Sequence, residues 1–157
     1  MFNKKFIHND PDIFHGHELT LHDCETDKIL FKNGILYFNL PDGFWVTPEH
    51  KANEYKKVVR TGPAIVKFTI NDIDDIHIRM FTQKTKVKIW NMEQLINAVN
   101  SGKYLLEFIT QYRAHAEQMW LCDITSKRKP YYKECQLYLP ETEASFHWNE
   151  LRPEREW

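Results

Sequence analysis

The chain reads as mainly β (α+β): an antiparallel β-sandwich or partly open barrel of about eight or nine strands, with one α-helix near residues 92–101. Three observations predict this. Apolar and polar residues alternate with a period of two along much of the chain, as half-buried strands require. Aromatic residues are plentiful at 14% and glycines are scarce at five, which suits pleated surfaces. In only one stretch, residues 91–102, do apolar positions recur at helical spacing. The 157 residues are expected to form a single β-rich domain, 1–157. A domain of this size buries roughly 68–70% of its unfolded surface and needs neither disulfide nor metal to fold.

Residues 1–17 are polar and aromatic, broken by Pro11 and Gly16, and are expected to be irregular, with Phe14 plugging the end of the core. Residues 18–40 predict a long β-hairpin. Leu19 and Leu21, then Ile29 and Phe31, alternate with polar neighbours before Asn33-Gly34 turns the chain into Ile35–Leu40. Asn-Gly suits a type I′ turn because both central residues need positive φ. Pro41-Asp42-Gly43 marks a second turn, and Phe44-Trp45-Val46-Thr47 a short strand stopped by Pro48. Residues 48–62 lack an apolar stripe and predict a mobile or loosely helical loop, long enough to be functional.

Ala64, Val66, Phe68 and Ile70 alternate cleanly, as do Ile76, Ile78 and Met80 after an acidic turn at 71–75. Residues 87–90 follow a turn at Lys84-Thr85-Lys86, and the three strands are expected to form one meander. Asn91 is a strong N-cap, Gln94 completes a capping box, and Gly102 provides the stop. Met92, Leu95, Ile96 and Val99 form the core-facing stripe between them. The last third returns to β: a strand over 104–112, a strand with Gln118, Trp120, Cys122 and Ile124 on one face, and a closing strand over 131–139. Residues 141–157 are an acidic tail in which Phe146, Trp148 and Leu151 can pack on the body.

The formal net charge of -1 argues against a strongly electrostatic partner, so nucleic acid is not expected. Cys24, Cys122 and Cys135 are an odd set without framework spacing, which reads as buried free thiols in a reducing compartment. No apolar run follows Lys4-Lys5 and no window reaches membrane-spanning length. A soluble cytoplasmic protein is the expectation. The chain lacks a glycine-rich phosphate loop and a Gly-x-Ser-x-Gly elbow, and Asp74-Asp75 sits in a turn.

Two sets of residues are candidates for chemistry or binding. His15, His17, His22, Asp23 and Cys24 are the side-chain types that hold zinc or another divalent metal, although no strict ligand spacing accompanies them. No cofactor is the primary expectation, with zinc as the alternative. The structural alternative is that His22 and Asp23 satisfy backbone groups at a strand irregularity while Cys24 packs. Cys24 with His22 could also serve as nucleophile and base, but residues two apart on a strand are not held within hydrogen-bond reach. The second set is a protein-binding surface formed by Phe44, Trp45, Tyr55, Lys127, Arg128 and Tyr131, since exposed aromatics and arginine anchor interfaces. Lys84, Lys86 and Lys88 could extend a basic face with Lys127 and Arg128; edge protection accounts for them as well.

Phe14-His15, Leu21-His22-Asp23-Cys24, Ile29-Leu30-Phe31 and Leu36-Tyr37-Phe38 resemble small uncharacterised bacterial β-rich domains with a His-Asp-Cys step before their first strands. Some of these are regarded as immunity proteins of polymorphic toxin systems. The resemblance covers about the first 40 residues. It implies a non-catalytic cytoplasmic protein-binding module acting as an immunity-like inhibitor. The alternative from the residues themselves is a metal-dependent enzyme or small-ligand binder using residues 15–24.

Overall fold

The computed structural model describes residues 2–13, 16–82, 86–129 and 131–157. In chain order the first strands are β1 (His8–Pro11), β2 (Leu19–Thr20), β3 (Cys24–Thr26), β4 (Lys28–Lys32) and β5 (Ile35–Leu40). Next come β6 (Trp45–Val46), β7 (Val59–Thr61), β8 (Ala64–Thr69), a 3₁₀ turn (Ile73–Asp75), β9 (His77–Thr82) and β10 (Lys86–Trp90). Helix α1 (Met92–Asn100) precedes β11 (Tyr104–Arg113), β12 (Glu117–Ser126), β13 (Tyr132–Pro140), β14 (Ala144–Trp148) and β15 (Leu151–Glu156). The fold is mainly β, with fifteen strands among the described residues, antiparallel pairing throughout, and no closed barrel.

The strands make three sheets. A five-stranded sheet runs β1-β14-β8-β5-β4, a six-stranded sheet β10-β9-β13-β12-β11-β3, and a four-stranded sheet β15-β7-β6-β2. The five- and six-stranded sheets meet across the core where Phe38 of β5 packs edge-on against Phe108 of β11, with centroids 5.2 Å apart. The four-stranded sheet joins through the adjacent Phe44, which packs on Phe146 and Trp148 of β14. Helix α1 buries Met92, Leu95 and Val99, and its capping box forms as expected: Asn91 Oδ1 accepts from Gln94 N–H and Gln94 Oε1 from Asn91 N–H.

Asn33 (φ 53°) and Gly34 (φ 73°) make the predicted turn, and β4 and β5 are its arms. The hairpin is shorter than 18–40, because β2, β3 and β4 belong to three different sheets. Two corners break its first arm. One is a turn in which Cys24 N–H donates to Leu21 O (2.9 Å) with Asp23 at φ 54°. The other is held by Thr26 Oγ1 donating to Asn39 O and Asn39 Nδ2 donating to Asp27 Oδ1. The expected three-strand meander is likewise divided. β9 and β10 pair, but β8 lies between β5 and β14 in the other sheet, and the 3₁₀ turn lies between β8 and β9 in the chain.

The fold has more strands than the alternation suggested because β2, β3, β6 and β7 are two or three residues long, too short to show a period. The segment expected to be irregular, 1–17, contains β1, and the acidic tail forms β14 and β15 with Phe146 and Trp148 buried. Residues 48–62 contain anchored positions, while residues 54–57 are exposed and form no helix. His50 is buried against Trp148, Asn53 Nδ2 donates to Val46 O and Lys57 O, and β7 closes the stretch.

Candidate protein-binding face

Along a strand successive side chains point to opposite faces, so the strand registers assign every residue of the six-stranded sheet to its core side or its outer side. Leu106, Phe108, Trp120, Cys122, Leu137 and Met80 are buried on the core side. The outer side carries a row of acids. Glu25 of β3 stands opposite Glu107 of β11, Glu107 opposite Asp123 of β12, and Asp123 opposite Glu134 of β13. The row continues through Phe81 of β9 to Val87 of β10. Directly opposed residues have Cβ atoms roughly 4.5–5.5 Å apart, so four carboxylates lie side by side across four strands, an arrangement that destabilises a free sheet.

Glu107 responds to burial first and to its acidic neighbours second. Partial burial, then Glu25, Asp23 and Asp123, raise the Glu107 carboxyl above its ordinary range, and Arg60 partly offsets them. Tyr132 donates to Asp123 Oδ1 (2.7 Å), and that bond, with burial and the neighbouring carboxylates, pushes its phenol up to about 12. Apolar and aromatic side chains flank the row on the same face. Leu121 and Met119 of β12 lie beside it, with Tyr112 of β11 and Tyr138 of β13 opposite Met119. On the edge strand β10, Val87 and Ile89 are 49% and 70% exposed. Val87, Ile89 and Tyr112 are the exposed large side chains of this face, and Met119, Leu121 and Tyr138 are partly buried.

The residues singled out in the sequence are scattered. Phe44 is fully buried and is a core residue, so it offers no surface to a partner. Trp45 is half-buried beneath the Arg60 guanidinium, 4.7 Å from its ring, and beside Trp157. Tyr55 lies exposed on the 48–58 loop, and Lys127, Arg128 and Tyr131 lie exposed at the β12–β13 turn. Tyr131 directly precedes Tyr132, which bonds Asp123 of the acidic row, whereas Trp45 and Tyr55 belong to β6 and the loop after it.

In the His-Asp-Cys step, His22 and Asp23 occupy the turn that docks on a β-bulge. The register of β11 against β12 shifts between Phe108 and Thr110, Asp23 N–H donates to Phe108 O, and His22 Nδ1 bonds Ile109 O (2.5 Å). His22 stacks on Trp157 with ring centroids 5.0 Å apart, and its Nε2 is 3.4 Å from Asp23 Oδ2. Cys24 is buried, which drives its thiol up to about 12, and Sγ points at the carbonyls of His22 and Thr20. A thiol held protonated is a poor nucleophile. His17 is exposed, and His15, Phe14, Lys84, Thr85 and Pro130 lie outside the described residues. Among the described residues no three His, Cys, Asp or Glu side chains are grouped to hold a metal ion.

The acidic row is not visible in the sequence, because its members are single acids at ordinary outward positions and Glu25 lies on a strand far from the other three in the chain. Only the register joins them. No protein-family model, curated protein or solved structure matches this chain.

Proposed function

We propose that the protein is a non-catalytic protein-binding module whose docking surface is the outer face of its six-stranded sheet, and that its partner presents a basic surface. The observation that carries this reading is the in-register row Glu25–Glu107–Asp123–Glu134, with Tyr112, Val87 and Ile89 exposed on the same face. Like charges placed directly opposite one another destabilise the free protein, and a cationic partner relieves that repulsion on binding. The apolar flanks supply desolvated contact area, while the carboxylates steer encounter and reject acidic surfaces. Such a face acts by occlusion, which is how an immunity-like inhibitor in the cytoplasm would work. No helix among the described residues is long and apolar enough to cross a membrane.

The test is capture of the partner from the source cell by the wild-type protein and by the variant Glu107→Gln/Asp123→Asn/Glu134→Gln. The reading predicts that the variant folds at least as stably and captures about a hundredfold less partner at low salt, from the loss of several complementary charges. Equal capture by both proteins would remove the face from consideration.

A further inference from the structure

Where β11 begins and β12 ends, an open groove of about 360 Å³ runs beside the C-terminal end of α1. Val99 of α1 and Leu105 of β11 give it an apolar wall. Tyr104, the first residue of β11, stands opposite Ser126, the last residue of β12. Lys103 and Lys127 flank that pair as exposed side chains of the same groove. Directly opposed residues have Cβ atoms roughly 4.5–5.5 Å apart, so the two hydroxyl-bearing side chains lie side by side.

Lysines gather on Tyr104. Lys133 of β13 reaches across β12 and donates to the Tyr104 hydroxyl (3.1 Å). The ammonium groups of Lys133 and Lys103 lie 5.0 and 5.2 Å from the centroid of the Tyr104 ring. Partial burial raises the phenol pKa, but the hydrogen bond and charge of Lys133, then Lys103, outweigh it and bring the phenol below its ordinary value. Among the described residues none of Lys103, Lys127 and Lys133 is ion-paired.

Two hydroxyl protons are unused. An ammonium only donates, so the Tyr104 oxygen accepts from Lys133 and keeps its own proton for an acceptor. Ser126 Oγ accepts from Arg128 N–H (3.2 Å) and likewise keeps its proton. Neither proton has an acceptor among the described residues. The acid of the lining, Asp27, follows Thr26, the partner of Leu106, and its Oδ1 already accepts from Asn39 Nδ2 (2.7 Å). Glu107 and Asp123 of the acidic row stand three residues from Tyr104 and Ser126 along the same strands. That separation is about 10 Å, more than the Debye length of about 8 Å at physiological salt.

We propose that this groove binds a small organic phosphate monoester, its phosphate held by the Tyr104 and Ser126 hydroxyls between Lys103 and Lys127, and its apolar body laid on Val99 and Leu105. A phosphate monoester brings three terminal oxygens and a charge of about −1.5 to −2, which suits two O–H donors among several ammonium groups. A carboxylate brings two oxygens and one charge. The volume falls in the class that takes small molecules. This inference stands apart from the docking face and fails or succeeds independently of it.

The experiment titrates the full chain with phenyl phosphate, benzoate and a thymidine hexanucleotide by calorimetry at physiological salt. Phenyl phosphate should bind saturably, one per chain, and benzoate about tenfold more weakly. Tyr104→Phe keeps the ring and loses the donor, and should weaken phenyl phosphate about tenfold, the worth of one charge-assisted hydrogen bond. Lys103→Gln/Lys127→Gln, at exposed positions, should weaken it at least as much. Lys86→Gln/Lys88→Gln makes the same change of charge on β10 and should bind like the wild type. Several results would overturn the proposal: no saturable binding, equal binding of benzoate, unchanged affinity in the groove variants, or equal loss in the β10 variant. A hexanucleotide that binds more tightly than phenyl phosphate would overturn it too, since the lysines would then follow a nucleic-acid backbone.

Discussion

Glu107 stands directly opposite Asp123 on the neighbouring strand, with Glu25 on its other side, and all three face outward. Burial and these neighbours hold the Glu107 carboxyl above its ordinary range. The folded state therefore keeps a proton more tightly than the unfolded chain does. That contribution favours folding at low pH and is lost as pH rises through the raised folded value. Glu107→Gln should stabilise the protein by roughly 0.2–1 kcal/mol at pH 7 and by less at pH 4. Urea unfolding of both proteins at the two pH values checks this; a destabilised variant at pH 7 would contradict it.

The fold class was legible because period-two alternation and the capped helix are local signals. Asn33-Gly34 and the box of Asn91 with Gln94 each formed as read. Sheet membership was not legible. Leu19, Cys24 and Ile29 lie within eleven positions of one another, yet they enter three sheets through corners at Asp23 and Asp27. The acidic row depends on that assignment, since Glu25 and Glu134 become parts of one row only when β3, β11, β12 and β13 are placed side by side. The facing of β11 residues beyond Phe108 depends on one inserted residue, Ile109, whose bulge no residue type announces. Phe44 and Trp45 looked like surface anchors in sequence; Phe44 is buried and Trp45 half-buried because the short β6 sits inside the junction of sheets.

Asn100 closes an open edge. Its Nδ2 donates to Ile29 O and its Oδ1 accepts from Ile29 N–H, both at 2.8 Å, so the side chain replaces a neighbouring strand beside β4. Asn100→Ala should cost about 1–3 kcal/mol. Asn100→Asp should cost more, because the carboxylate still accepts from Ile29 N–H but repels Ile29 O. Chemical denaturation of the two variants orders them; an aspartate variant as stable as the wild type would refute the edge role.

Two glycines at similar φ should respond very differently. Gly43 (φ 75°) has Thr61 Oγ1 and the carbonyls of Thr61 and Gly62 within 2.5 Å of where a Cβ would stand, whereas Gly102 (φ 72°) has nothing within 4 Å. Gly102→Ala should cost about 1 kcal/mol, the left-handed penalty alone. Gly43→Ala adds a backbone clash and should cost about 3 kcal/mol or more. Melting temperatures measured side by side decide it.

His147 is 7% exposed and shares a 2.9 Å hydrogen bond with Ser145 Oγ. Burial, with Lys67 adding to it, lowers its pKa from 6.5 to about 4. The folded state thus refuses a proton that the unfolded chain accepts. Its contribution is complete above pH 6.5 and is lost as pH falls toward 4, amounting to at most about 3 kcal/mol. His147→Gln should flatten the stability profile across that window. An unchanged slope would mean that other groups set it.

Zero-length carbodiimide coupling between the protein and its captured partner tests the docking face most directly, because this chemistry joins carboxylates only to amines in contact with them. The account predicts that mass spectrometry finds partner lysines joined to Glu25, Glu107, Asp123 and Glu134. Couplings confined to Lys127 and Lys129 at the β12–β13 turn, joined to acids of the partner, would contradict it and move the interface to the opposite charge.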